Sequence, residues 1–558
     1  MPAAGGDGRV TSLPEWLTVL VTFVIVVTPF VAWALAVAPY GSPDENDHVR
    51  YAVAVVSGTP VVAVPTDEPW SSEVAEQLAN RGVFERSELS VGWGIAEIPA
   101  FYAQDTWGCF AFQKDVTAEC QVFQAPPGTA EAVTAARLYP KAYYVLVGLP
   151  SLVADRPATL YAMRIVSGML AAACLTFAIT VARRRRRALL LGVAAAATPM
   201  VWFTGAMVNP NGTEIALAIA WWIGLLCLVD GTTGQRPPPG QASGPPPTAF
   251  LVGLGAVGAG LALVRPLSLL WLGLIAVVVM IDAGWPRVRR LLTTRSVQVM
   301  TAVVVVVGAV QALLVLGNGS LGATDPRTDV QGLTPTDAIR TSIGRQADIV
   351  HEMIGSFGWL DTRLASIVVV AWLIVVGVLV GLALLTGPRR RLFVLAGWTV
   401  VVAVLPVVLE VQGVDAVGFI WQGRYSLPLA VGIPVLAARA VDWPRVGGLV
   451  GPYRRVAALV MAVTTLGAAI GFYQALRRFV VGVSGPIQVW DSPRWQPPLP
   501  VWATVVLGVG AHLVVGWWLY RLAVREPVGH VRDTVIRPLD LQPGEPTLEP
   551  VPQVDQRM

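Results

Sequence analysis

The chain is predicted to be an all-α polytopic membrane protein, and three observations predict it. Of its 558 residues, 54% are hydrophobic and only 14% charged, where a soluble protein carries about a quarter charged residues; the mean hydropathy is +0.61. Apolar runs approaching the width of a bilayer recur from Trp16 to Leu522. The arginines cluster between those runs, as topology signals do. That placement accounts for the net charge of +4 without nucleic acid, whose recognition would interleave basic and aromatic residues on a soluble face.

Taken in order, residues 1–15 form a short cytoplasmic N-terminus. The run from Trp16 to Ala38 ends in Ala36-Val37-Ala38, which looks like a cleavage site. Pro39 follows directly and the run outlasts the ~7–15 apolar residues of a signal peptide, so it reads as an uncleaved first span. The consecutive arginines Arg183 to Arg187 set the orientation, because the positive-inside rule places them in the cytoplasm. Arg287-Val288-Arg289-Arg290, Arg389-Arg390-Arg391, Arg454-Arg455 and the Arg521 to Arg525 segment fall into step. The path that satisfies them has about twelve spans. They lie near 16–38, 158–182, 188–206, 213–230, 249–264, 267–282, 297–317, 363–386, 392–411, 426–441, 456–476 and 501–522, with both termini cytoplasmic. Arg265-Pro266 divides the stretch 249–282 into two short halves, and proline breaks a helix there. Two short helices meeting at an aqueous cavity fit, because irregular backbone is tolerated where water reaches.

The first extracytoplasmic loop, 39–157, is large enough for a small folded subdomain and contains Cys109 and Cys120. In an oxidising compartment these form a local bridge; otherwise they are two free thiols. Cys174 and Cys227 fall inside apolar spans as small core residues. Ala135 to Val153 is apolar but interrupted by Lys141 and two prolines, and is expected to lie along the interface rather than to span. A second outer loop runs from 318 to 361. Residues 231–248 read as a Pro/Gly-rich cytoplasmic linker, 481–522 as the last outer loop and final span, and 523–558 as a disordered cytoplasmic tail.

Candidate chemistry gathers where spans meet the outer loops. Pro43-Asp44-Glu45-Asn46-Asp47-His48 puts three carboxylates and an imidazole within five residues, supplying a base and a cation site; a solvated, helix-capping turn would use the same residues. Arg424, in Gln422-Gly423-Arg424-Tyr425, suits a lipid phosphate or snorkels from a helix end. Asn209-Pro210-Asn211-Gly212-Thr213-Glu214 forms an outer turn in which Asn211 or Thr213 caps the next helix and Glu214 favours its N-terminus. Arg164, inside the second span, and Arg265, at the helix break, are charges at membrane depth, which usually face a cavity or a partner. Gly355-Ser356-Phe357-Gly358-Trp359-Leu360-Asp361, with His351 and Glu352 upstream, reads as aromatics marking the interface. There is no Gly-rich phosphate loop, zinc spacing or nucleophile elbow.

Together Pro43-Asp44-Glu45 with His48, the Arg164 span, the Asn209 to Glu214 turn, Gly358-Trp359-Leu360-Asp361 and Gln422-Gly423-Arg424-Tyr425 carry a family resemblance. Over about residues 16–480 the chain resembles the bacterial predicted membrane protein family of domain of unknown function 2142. That family in turn resembles the GT-C superfamily of polyprenyl-phosphate-sugar-dependent glycosyltransferases. The resemblance implies a GT-C-like bundle with a long first extracytoplasmic loop, set in the inner membrane. It implies transfer of a sugar, with inversion, from a polyprenyl-phosphate donor to a cell-envelope glycan or lipid acceptor at the extracytoplasmic face. Asp44 and Glu45 would be catalytic, Arg424, Arg265 and Arg164 would hold the donor phosphate, and His48, Asn209, Asn211, Gln422 and Tyr425 would line the substrate. Some superfamily members use a divalent cation, Mg or Mn, which Asp44, Asp47 and His48 could bind; the sequence does not decide. Glu214 stands one position after the Asp that the pattern leads one to expect, which leaves that turn's role open. Two other readings share these residues. One is a transporter or flippase of a lipid-linked saccharide, which calls for polar residues deep within several spans. The other is a non-catalytic assembly protein that keeps the fold.

Overall fold

The computed structural model describes residues 14–65, 69–80, 92–124, 126–231, 247–318, 333–443 and 450–524. The N-terminal stretch 1–13, most of the expected linker (232–246) and the tail from 525 onward lie outside the described residues.

In lipid no water satisfies a free N–H or C=O, so each apolar run closes its backbone hydrogen bonds within itself as a helix. α1 (Glu15–Ala36) leads through a tight turn into α2 (Glu45–Ser57). The first loop then folds. β1 (Val62–Ala63), β2 (Gly94–Pro99) and β3 (Thr129–Thr134) form an antiparallel sheet in that order, with Ile95 opposite both Val62 and Val133. α3 (Ser72–Ala79) covers it through Val74 and Leu78, and α4 (Ala100–Ala103) continues β2. Arg50, buried in α2, locks this subdomain to the membrane end by donating to the carbonyls of Tyr102, Ala103 and Val133 and pairing with Asp105 at 2.6 Å. Cys109 and Cys120 are disulfide-bonded, the first of the two alternatives. α5 (Lys141–Gly148), about 12 Å long, is too short to span. Val145, Leu146, Leu149, Leu152 and Val153 are exposed on it and the turn that follows, while Tyr143 and Tyr144 are buried, the partition of an interfacial segment.

The bundle continues with α6 (Pro157–Arg185), α7 (Leu189–Ala196), α8 (Pro199–Ala206), α9 (Pro210–Asp230), α10 (Thr248–Val264), α11 (Ser268–Ala283), α12 (Trp285–Leu292) and α13 (Arg295–Gly317). After α14 (Pro335–Gly344) and α15 (Gln346–Ile354), a hairpin of β4 (Ser356–Phe357) and β5 (Thr362–Arg363) leads into α16 (Ser366–Thr386), α17 (Arg389–Val417), α18 (Gly423–Ala430), α19 (Gly432–Ala440), α20 (Val450–Val480) and α21 (Val501–Val524). α7 and α8 are one apolar run bent by 65° before Pro199, which cannot donate a backbone hydrogen bond; the Trp202 indole takes up the Ala197 carbonyl at 3.1 Å.

All the expected spans fall on helices, while helix length and composition do not confirm the count of about twelve. Among the described residues eight helices are long and apolar enough to cross a membrane, or up to ten if each of two bent pairs is one span. The difference lies at α10, which has only 17 residues, and at 426–441, which splits into α18 and α19.

α9 runs from Glu214 near one end of the bundle to Asp230 at the other, 16 residues and about 24 Å along a helix axis. At the first end Arg478 of α20, fully buried, pairs with Asp361 at 2.8 Å. It also donates to the carbonyls of Val116 (2.6 Å), Phe110 (2.7 Å) and Gln113 (3.1 Å). The Gly358–Asp361 motif thus helps to clip the first loop to the bundle.

Candidate functional site

Asp44 stands at the N-cap of α2, where an aspartate ordinarily accepts from a first-turn N–H. Its side chain caps nothing, and its backbone is left-handed, φ 63°. A non-glycine residue in that region costs on the order of 1–3 kcal/mol and persists only where its surroundings hold it. Arg424, in the first turn of α18, does so: its guanidinium pairs with the Asp44 carboxylate and donates to the Pro43 carbonyl at 3.3 Å. Asn209 donates to that same carbonyl at 3.2 Å, while its own Oδ1 caps α9 by accepting from the Asn211 N–H at 3.0 Å. Gln422 accepts from Arg424 Nε at 2.7 Å, and the Tyr425 hydroxyl accepts from the same guanidinium at 3.1 Å. Asp44, Asn209, Gln422, Arg424 and Tyr425, expected from the sequence as one site, are in contact.

Arg265 completes the group. It occupies extended backbone after α10, so its side chain leaves the helix break rather than a helix face. It pairs with the fully buried Glu214 at 2.8 Å, and Ser268 donates to the other oxygen of that carboxylate at 2.6 Å. Asn211 donates to Glu214 at 2.9 Å and to the Arg424 carbonyl at 3.3 Å, joining the two arginines' surroundings. The Tyr425 ring lies 5.1 Å from the Arg265 guanidinium and 5.0 Å from that of Arg424. Two cations therefore flank one aromatic ring beside Asp44, and Glu214, whose role the sequence left open, is the counter-ion of one of them.

Electrostatics follow from this crowding. Burial pushes the Asp44 carboxyl up, but the Arg424 guanidinium, its hydrogen bond and Arg265 together hold it below the ordinary carboxylate range. It is ionised at neutral pH, and 46% of its side chain is exposed, against 1% for Arg424. His48 bonds through Nδ1 to the Tyr144 hydroxyl at 2.8 Å. Burial, opposed by Asp44, pushes it down to about 3, so it is neutral.

Glu45 and Arg164 are placed differently from the expectation. They pair with each other through both carboxylate oxygens, at 2.7 and 2.6 Å, each 1% exposed. Glu45 also accepts from the Val208 N–H at 3.1 Å, and Arg164 from its side donates to the carbonyls of Ala34, Val37 and Ala38 at the end of α1. Their hydrogen-bonding edges are spent on protein. The expected cation trio does not assemble either: among the described residues no three His, Cys, Asp or Glu side chains are grouped to hold a metal. Asp44 is turned to Arg424 and His48 to Tyr144.

Sequence reasoning missed several participants. Tyr139 lies 5.8 Å from the Arg265 guanidinium and packs edge-on against His48, and Tyr144 holds His48; the signal was the tyrosine cluster around Pro140-Lys141. Glu352 accepts from the Gly423 N–H at 2.7 Å, its carboxyl raised by burial. A Cβ at Gly423 would meet Ile349 O and Met353 N of α15, both at 2.5 Å, so only glycine lets α18 begin there.

The family described as predicted membrane protein (DUF2142) matches residues 28–433. No curated protein matches the chain. Among solved structures, ArnT from Cupriavidus metallidurans bound to undecaprenyl phosphate is similar with a TM-score of 0.41 at 14% identity, covering 92% of this chain and 78% of that one. The apo state of the same protein gives 0.35 at 12% identity over the same shares.

Proposed function

The chain belongs to the DUF2142 family of predicted membrane proteins, and from that premise and the geometry around Asp44 we propose that it is a membrane glycosyltransferase. It moves a sugar from a polyprenyl-phosphate donor to a hydroxyl of a cell-envelope glycan or lipid acceptor. One observation carries this reading: Asp44 forgoes capping its helix, accepts a left-handed backbone, and presents a half-exposed carboxylate to a buried arginine.

A carboxylate and a phosphate bind the guanidinium fork alike. The incoming donor phosphate takes the place of Asp44 on Arg424. Freed of that positive neighbour, the Asp44 carboxylate becomes a stronger base. It accepts the proton of the acceptor hydroxyl as that oxygen bonds to the anomeric carbon. The bond from that carbon to the phosphate oxygen breaks on the opposite face, so the configuration inverts. The departing phosphate takes up negative charge against Arg424 and Arg265, both in place beforehand. Asn209, through Pro43, and Gln422, through Arg424, are positioning residues. So are Glu45 and Arg164, which brace the turn from α1 to α2. The Arg183–Arg187 cluster at the far end of α6 and the disulfide in the first loop support an extracytoplasmic site in the inner membrane.

The test is transfer of radiolabel from a panel of polyprenyl-phosphate sugars by the purified chain in lipid nanodiscs. Wild type transfers label to a glycan or lipid acceptor and Asp44→Asn does not, while still binding polyprenyl phosphate. Undiminished transfer by Asp44→Asn would remove Asp44 as the base.

A further inference from the structure

The end of the bundle opposite Asp44 holds a second site, independent of the chemistry above. Four helix ends meet there: α6 closing at Arg185, α16 at Thr386 and α19 at Ala440, with α17 opening at Arg389. Between them lies a cavity of about 360 Å³ whose lining includes Arg186, Thr386, Arg391, Asp442 and Trp443. Beneath it Arg439, 1% exposed, pairs with Asp230 at 2.5 Å and Asp282 at 2.7 Å. The Arg439 carbonyl accepts from Arg186 at 2.8 Å and from Arg391 at 3.1 Å, which anchors both guanidiniums at the cavity.

Three arginines (Arg186, Arg391 and Arg439) meet three aspartates (Asp230, Asp282 and Asp442) here, but the ion pairs are shared unevenly. Arg439 holds Asp230 and Asp282 closely, and Arg186 keeps a longer contact to Asp230 at 3.4 Å. Arg391 pairs with no carboxylate among the described residues, although it lines the cavity. The Trp443 indole N–H, in the same lining, is buried without a partner among the described residues. Asp442 also lines the cavity. Its backbone N–H is tied to the Thr386 hydroxyl at 3.1 Å, which fixes the rim.

A guanidinium fork with an unused edge matches two oxygens of a phosphate group. Basic pockets between helices on the cytoplasmic side of a membrane bind phosphate-bearing headgroups, and a tryptophan at helix ends marks headgroup depth. We infer that this cavity binds a phosphate group through Arg391 and Arg186, with the Trp443 N–H as a further donor. The ligand that fits the location is a phospholipid headgroup of the leaflet at the arginine-rich end.

The test is native mass spectrometry of the full chain released from detergent, titrated in one arm with dioleoylphosphatidylglycerol and in the other with inorganic phosphate. Wild type retains lipid, and Arg391→Gln weakens retention about five- to tenfold, the scale of one basic residue near a lipid surface. Arg391→Lys keeps the charge but loses the fork and weakens it less; it carries the comparison if the glutamine variant does not fold. Arg521→Gln, on α21, leaves retention unchanged. Loss of binding in Arg391→Gln in the phosphate arm alone supports a phosphate site with a soluble ligand, and loss in the lipid arm supports the headgroup. Equal binding by wild type and both Arg391 variants in both arms overturns the inference.

Discussion

At one end of the bundle Arg424, 1% exposed, meets Asp44, whose side chain is 46% exposed. At the other, Arg439 is as deeply buried but meets Asp282 at 1% and Asp230 at 19% exposure. α9 and α11 contribute to both ends, the first through Asn211 and Asp230, the second through Ser268 and Asp282. Arginine and carboxylate are the same parts in each case. Where both partners are enclosed, the pair braces helices together. Where the acid keeps an open face, the pair can be exchanged for a ligand. Glu45 and Arg164, each 1% exposed, repeat the enclosed arrangement one residue away from Asp44, so the distinction operates between sequence neighbours.

The largest effect should come from Asp44→Asn, with kcat lowered about 10²–10⁴-fold, the usual worth of a general base, and little change in melting temperature. If Asp44 is instead another brace, the melting temperature falls and the residual activity per folded molecule does not. Arg164→Met should act first on stability. Removing one partner of an enclosed pair costs about 3–5 kcal/mol, read as a lower melting temperature in nanodiscs. Adding Glu45→Leu should recover much of that loss, because no buried charge is then left alone.

The helices were readable because lipid leaves an apolar backbone no alternative, and Asp44 and Arg424, expected at one site from motifs at the ends of apolar runs, are in contact. The division of labour between Asp44 and Glu45 was not. It depends on a left-handed backbone at Asp44 that sends adjacent carboxylates to different partners. Nor did spacing reveal that Glu214 answers Arg265, 51 positions on, since pairing between spans is decided by packing. Tyr139 and Tyr144 escaped notice because an aromatic in an interfacial segment looks the same whether it faces lipid or a site. The span count stayed open because α10, at 17 residues, is short for a crossing in the sequence and in space alike.

Two smaller effects sharpen the contrast. Gly423→Ala cannot be absorbed by a flexible side chain, since the new methyl meets backbone of α15 at 2.5 Å. Shifting Arg424 by about an ångström should lower kcat about 10²-fold, with the Arg439 end unaffected; equal kcat would show that α18 has slack. His48 gives the smallest effect. Its folded value of about 3 lies below the ordinary 6.5, so between those values the unfolded chain binds the proton and the fold does not. Stability therefore rises with pH across that window, and at pH 5 is about 2 kcal/mol below its value at neutral pH. His48→Gln should flatten the melting profile between pH 5 and 7.5, and an unchanged slope would assign it to other groups.

The clip made by Arg478 bears on biogenesis. Its carbonyl acceptors at Phe110, Gln113 and Val116 are made 362–368 residues before it is. At about 5–20 residues per second, the ribosome takes roughly 20–75 s to supply the missing guanidinium. Throughout that interval the N-terminal loop has already emerged, with three backbone acceptors awaiting a donor that has not been synthesised. A nascent chain stalled before α20 should therefore show that loop open to protease, and release of the stall should close it.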